Sequence, residues 1–462
     1  MAMWNWLSGR SILLWVAITA VWLAAPVAAM AEDTKLNWPT FRGPLGSGVA
    51  PESARPPVLF GPDQKLKWKV PIPGGGHSSP IVWGDRIYLM TAIDTQQKLP
   101  AEKVADSAEG SERRRIAGMT YPRPETEYQF VVMCLDRESG QTVWSTEVQR
   151  AVPHEGGHRS NTYASGSPVT DGRYVWCNFG SRGVWCLDMT GQVVWHRDFG
   201  KMTTRNQFGE GASVAIYKDT LVIPWDQEQN SFVIAVDAAT GKDIWRSDRQ
   251  EVTTWATPTI VPSGQVVQVI TSGTSVRSYD LASGQMIWQS SGFTTNPIAC
   301  PLIWEDTAVC MTGHRGFAIQ SISLQAKGDV TGQADVRWKR DDAAPYISSP
   351  TMVDGVIYFV KGNTGILSAV QASDGAPVFQ QVRLPNIDQM YASLVSARKH
   401  IYACGRNGQV VVFRHGAEYT QVHEVDMGQP IDATPAISDN LLIIRGHESL
   451  FCFEEPLGSQ AE

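Results

Sequence analysis

A chain of 462 residues with 43% apolar side chains, 41 Gly and 27 Pro is long enough to bury a large core and is dense in turns. A charged fraction of 18% excludes a disordered solvating protein, and a net charge of −7 without a basic stripe excludes a nucleic-acid backbone as partner.

Residues 1–31 differ from the rest. Arg10 supplies a positive flank, Ser11 to Ala25 an apolar run, and Ala29-Met30-Ala31 small residues for cleavage. This is the pattern of a secretory signal peptide, with an uncleaved membrane anchor as the competing reading. The expected location is the periplasm or the exterior, and membrane contact would come only through such an anchor. No Cys stands near the cleavage region, which argues against a lipid-modified N-terminus.

A lead-in over 32–63 precedes a repeat array over 64–455, and 456–462 form a tail. Each unit opens on a small residue followed by Pro or an apolar residue: Ser79-Pro80, Ser167-Pro168, Ser213-Val214, Thr257-Pro258, Cys300-Pro301, Ser349-Pro350, Ser393-Leu394 and Thr434-Pro435. Most anchors lie 41 to 49 residues apart, the period of a four-stranded propeller blade. The sixth unit shows the strands: an Asp354-Gly355 turn, Val356–Val360, an Asn363-Thr-Gly365 turn, Ile366–Val370, then Asp374-Gly375. Short β-branched runs between such turns are consecutive hairpins. The expected fold is all-β: an eight-bladed β-propeller of four-stranded antiparallel blades.

Two inserts break the period. The first blade carries a polar stretch over 92–127, including Glu112-Arg113-Arg114-Arg115, expected as a mobile rim loop. The other, Gln325 to Asp335, lengthens the fifth blade. The eighth unit stops before its fourth strand, and Lys65 to Val70 resembles the missing piece. Trp68 precedes Pro80 by 12 residues, as Trp338 precedes Pro350. The N-terminal strand is therefore expected to complete the last blade and close a monomeric ring.

The fullest units read Asp136…Gly140…Trp144, Asp188…Gly191…Trp195, Asp237…Gly241…Trp245 and Asp280…Gly284…Trp288. Trp68, Trp144, Trp195, Trp245, Trp288 and Trp338, with Phe379 in the sixth blade, are expected to pack between blades. Each buries about 150–250 Å², at most about 4–6 kcal/mol. The seventh blade has Val422 there and is expected to form the weakest joint. The seven Cys fall into repeated slots (Cys134, Cys186, Cys452; Cys177, Cys310, Cys404) and read as buried thiols rather than disulfides.

His154-Glu155-Gly156-Gly157-His158 matches the HExxH zinc-hydrolase string. That chemistry needs a helix, which two adjacent Gly disfavour by about 1 kcal/mol each. It reads as coincidence, and no metal site is expected. No phosphate loop, nucleophile elbow or haem motif occurs, and no catalytic residue is assigned. In a propeller the connections into the innermost strands converge on a central funnel. The residues there are His77, Tyr163, Phe208, Glu210, Trp255, Asn296, Tyr346, Tyr391 and Asp432, either ligand-binding or channel-plugging.

With an S-P strand followed by D-x-x-[ST]-G-x-x-x-W, the chain resembles the PQQ-like (quinoprotein-type) repeat family over about residues 64–455. Trp38-Pro39-Thr40-Phe41-Arg42-Gly43-Pro44 looks like the lead-in of its exported bacterial members. The resemblance implies one of two functions. One is a non-enzymatic platform for envelope proteins, of the BamB outer-membrane assembly type. The alternative is a dehydrogenase carrying pyrroloquinoline quinone and Ca²⁺, with Trp255 beneath the quinone and Glu210, Asn296 and Asp432 as cation ligands. Those enzymes commonly use an adjacent-Cys disulfide, which this chain lacks. A carbohydrate-binding or -degrading propeller is a second alternative. The reading favoured is the platform, without a cofactor.

Overall fold

The computed structural model describes residues 37–98, 121 and 123–456. The signal-like segment, most of the first insert and the end of the tail lie outside the described residues.

Eight antiparallel sheets follow one another along the chain. In blade 2, Val169–Thr170, Tyr174–Asn178, Val184–Asp188 and Val193–Arg197 form consecutive hairpins, and the other blades repeat this order. The described residues contain no α-helix, and none has a helix long and apolar enough to cross a membrane. The ring closes as expected. Leu66–Pro71 pairs antiparallel with Ser449–Glu454, the third strand of blade 8, with Val70 opposite Leu450.

The repeated residues each have a mechanical role. Along the inner strands, the anchor hydroxyls form a belt. Ser79 N donates to Ser167 Oγ at 2.9 Å, Ser167 N to Ser213 Oγ at 2.9 Å, and Ser393 N to Thr434 Oγ1 at 2.9 Å. Thr434 N then donates to Ser79 Oγ at 2.9 Å and carries the belt across the seam. Each bond satisfies a buried backbone donor with the next blade's hydroxyl, which is why the anchor is small and polar. Cys300 has no hydroxyl to offer its neighbour, so the belt is broken before blade 5.

Between blades, five of the six repeat Trp indoles donate to a carbonyl of the following blade, whereas Trp288 donates to Gln268 Oε1 within its own blade. Trp68 Nε1 reaches Arg137 O at 3.0 Å, Trp144 reaches Met189 O at 3.0 Å, and Trp245 reaches Leu281 O at 2.7 Å. The Gly of that next unit lies flat on the ring. Gly140, Gly191, Gly241, Gly284 and Gly375 all have positive φ, and a Cβ on any of them would fall within 3 Å of the preceding blade's indole. The Asp-to-Gly turn is thus the socket for the Trp before it. Opposite each Trp across the ladder stands a small residue: Cys134 faces Trp144, Cys186 faces Trp195, Cys452 faces Trp68, and Ala235 faces Trp245. This explains the first Cys slot by volume alone. All seven cysteines are buried free thiols.

Three features depart from expectation. The rim loop of blade 1 is partly strand: Arg86–Lys98 and Thr126–Asp136 form one long hairpin, so Ala92–Lys98 belongs to the sheet. Its polar side chains project from the hairpin's end and hid the strand period. The fifth-blade insert also adds structure. Gly328–Asp329 pairs parallel with Met286–Ser291, placing Gly328 opposite Trp288 where that blade lacks the usual socket.

The third concerns the seventh blade, where the register puts His423 rather than Val422 in the Trp slot. Val412 faces His423 as Cys134 faces Trp144, and Val422 is the bulge residue beside it. Phe60 of the lead-in sits against Tyr402, His423 and Phe453 with ring centroids 6.4, 5.4 and 4.9 Å away, and Tyr402 Oη donates to Pro57 O. The His423 ring therefore occupies the slot, and an aromatic from outside the repeats packs against it. The rest of the lead-in crosses the end of the ring opposite the funnel. Trp38 bridges Val82 of blade 1, Arg42 donates to Pro350 O of blade 6, and Ala50 N donates to Ser396 O of blade 7. Arg42 is fully buried. The channel is thereby plugged at one end and becomes a cup.

Candidate functional site: the funnel

The cup holds a cavity of about 390 Å³. His77, Phe208, Trp255, Tyr346 and Tyr391 line it, joined by the belt hydroxyls and by Phe41 from the plug. Tyr163 and Glu210 instead face a side cavity of about 30 Å³, shared with Trp255, His154 and Glu155. Asn296 and Asp432 are buried and line neither cavity. The rule that residues before each anchor converge on the funnel thus finds five of its nine on the cavity wall.

Sequence reasoning missed a second set. His314, Arg406 and His447 follow a Gly in the turn between the second and third strands of blades 5, 7 and 8, and Asn363 has the same place in blade 6. His314 and Asn363 line the cavity. His158, Ser160 and Asn161 also line it, from the long connection between blades 1 and 2. That connection reaches across the mouth: Ser160 Oγ lies 2.6 Å from His158 Nδ1 and 3.1 Å from Tyr391 Oη in blade 7.

From Tyr391 the polar network continues. The Arg406 guanidinium lies over the Tyr391 ring at 4.0 Å and donates to Asp432, Nε to Oδ1 at 2.7 Å and Nη2 to Oδ2 at 3.2 Å. His447 Nε2 is 3.0 Å and His77 Nε2 3.4 Å from the same Oδ2. Burial pushes the Asp432 carboxyl up, but hydrogen bonds from His447 and Arg406 outweigh it and hold the group below the ordinary carboxylate value. Burial wins at His77, whose imidazole is pushed down to about 4 despite Asp432.

The HExxH string has no helix and makes no zinc site of the hydrolase type. His154 Nε2 is bonded to Met202 O at 2.7 Å and Arg182 Nη2 to His154 Nδ1 at 3.0 Å, so both ring nitrogens are engaged. Glu155 accepts from Thr204 N and Oγ1, and burial lifts its carboxyl to about 7. His154, Glu155 and Gly156 line the side cavity, whereas His158 lines the central one.

The donors named for a quinone-bound Ca²⁺ do not fit that role. The Glu210 carboxylate is turned to Ser181 of blade 2, accepting from its backbone N–H at 3.0 Å and from its hydroxyl. Asp432 is gripped by Arg406 in two contacts, and the buried Asn296 Oδ1 has no hydrogen-bond partner among the described residues but faces neither cavity. The three oxygen donors share no cavity wall, so they do not converge on one cation above the funnel.

On the outer rim, Val143, Val193, Val194, Ile244 and Met286 are 44–50% exposed. They lie on the outermost strands of blades 1 to 4, one or two residues before the Trp, where blades 8 and 5 carry Lys67 and Arg337 directly before theirs.

Comparison with known proteins agrees with this architecture. BamB from Moraxella catarrhalis superposes with a TM-score of 0.51 at 12% identity, over 81% of this chain and 100% of that one. A quinohemoprotein alcohol dehydrogenase from Comamonas testosteroni superposes with a TM-score of 0.61 at 10% identity, over 94% and 82%. A europium-containing methanol dehydrogenase gives 0.61 at 9% identity, over 92% and 99%. At these identities the likeness is one of fold. No curated protein matches the chain significantly. The family described as outer membrane protein assembly factor BamB matches residues 129–381, more than half of the sequence, and the chain therefore belongs to this PQQ-like propeller family.

Proposed function

We propose that the protein is a non-catalytic propeller of the bacterial envelope whose rim docks other proteins. The observation that carries this reading is the apolar row on blades 1 to 4. Four consecutive outer strands each expose an aliphatic or Met side chain, and on blades 1 to 3 these lie beside an edge whose backbone groups are open to pairing. The chain itself supplies an example of such docking, since Gly328–Asp329 adds to the edge of blade 4. Envelope location rests on the family and on the signal-like residues 1–31. The likeness to dehydrogenases and the aromatic cup support the quinoprotein alternative, but the engagement of Glu210 and Asp432 within the fold weighs against it.

A photo-crosslinking residue placed at Val194 or Ile244 in the native envelope tests the platform. Discrete protein adducts are expected at both, few at Arg337, and their loss on Val194→Glu/Ile244→Glu. Equal labelling at all three positions would remove the proposal.

A further inference from the structure

We propose that His77, Asp432 and His447 bind one divalent transition-metal ion of the zinc class and that this ion ties the last blade to the first. Among the described residues they are the trio of ligand side chains that converge, with all three ligand atoms within 4.8 Å of one another. The spacings match a coordination shell. Metal–ligand bonds of about 2.0–2.1 Å put neighbouring ligand atoms about 3.0 Å apart in an octahedron and about 3.4 Å apart in a tetrahedron. The two nitrogens lie 3.0 and 3.4 Å from Asp432 Oδ2.

Both imidazoles aim the same atom, Nε2, at one carboxylate oxygen, with their rings 25° from parallel and 5.2 Å apart. In the apo geometry that oxygen also takes Arg406 Nη2, so three nitrogen groups crowd a single acceptor. An ion between the imidazoles and Oδ2 replaces this crowding with bonds. Arg406 Nε would stay on Oδ1 at 2.7 Å, the outer partner that orients a ligating carboxylate. The longer Nη2 contact is the one displaced. Two imidazoles with one carboxylate select zinc or its neighbours over calcium, which prefers oxygen throughout.

The placement gives such an ion a function. His77 follows the N-terminal strand and leads into blade 1, while Asp432 and His447 belong to blade 8. Ligands from the two ends of the ring meet at its seam. A bond across so long a loop removes chain entropy that the unfolded state otherwise keeps.

The test uses the full chain, free of any His tag and stripped by a chelator. Calorimetric titration with Zn²⁺ and visible absorption with Co²⁺ are compared with those of His77→Ala/His447→Ala. The expected result is one ion per chain for the wild type and a rise in its melting temperature. Affinity should fall by at least about 100-fold in His447→Ala, since even the outer partners of a ligand are worth about 10–100-fold, and further in the double variant, without the thermal shift. His447 is the most exposed of the three, so its single variant serves if the double variant fails to fold. Zn²⁺ uptake by the wild type no greater than that of either variant would overturn the proposal.

Discussion

Replacing Leu66–Pro71 by a Gly-Ser linker of equal length is expected to abolish the cooperative fold. The segment supplies the fourth strand of blade 8, the ion pair Lys67–Glu454, and Trp68, whose indole fills the socket at Gly140 of blade 1. Loss of a buried Trp alone costs about 3–5 kcal/mol, a large share of the roughly 5–15 kcal/mol that holds a domain together. Without the strand, Ser449–Glu454 becomes an open edge with Phe451 and Phe453 beside it. Any soluble product should lose its sharp melting transition and self-associate on a sizing column. A monomer with an unchanged transition would contradict closure by this strand.

The second large effect concerns a single socket. Trp245→Ala is expected to destabilise by about 3–5 kcal/mol, because it empties the blade 3–blade 4 joint and leaves Leu281 O without its donor. Gly284→Ala is expected to cost about 2–4 kcal/mol. Its φ is +71°, and the new Cβ would lie 2.5 Å from the indole Cδ2. The two are coupled. In the Trp245→Ala background the clash is gone, and Gly284→Ala should cost only the backbone strain of about 1 kcal/mol. Denaturant unfolding of the four proteins measures this, and additive costs would contradict direct packing of Gly on Trp.

These sockets show why the fold was legible from sequence. Asp, Gly and Trp recur because most joints use the same parts, so the motif reports the Gly-on-Trp socket five times over. The anchors likewise report the hydroxyl belt. Legibility ended where one part of the chain substitutes for another. Phe60 packs against His423 in the joint between blades 7 and 8, and Arg42 plugs the ring against blade 6. Neither residue belongs to a repeat, so periodicity gives no register for them.

The funnel was half legible for a related reason. Counting back from each anchor found His77, Phe208, Trp255, Tyr346 and Tyr391, because inner-strand connections occupy equivalent places around the ring. The turns between second and third strands also face the mouth, and they hold His314, Arg406 and His447. Their sequence signal is faint, a single Gly before a variable residue. The side chains that bind Asp432 come from these turns. Position before an anchor therefore marked Asp432 as a free oxygen donor, whereas its partners from blades 7 and 8 already hold it.

The central claim is that this propeller binds rather than oxidises. Titration of the chelator-stripped protein with pyrroloquinoline quinone and Ca²⁺ tests it most directly. With Glu210 held by Ser181 and Asp432 by Arg406, the expected result is no saturable change in quinone absorbance at micromolar concentrations. Stoichiometric uptake with the spectrum of bound quinone, lost on Trp255→Ala, would contradict the account.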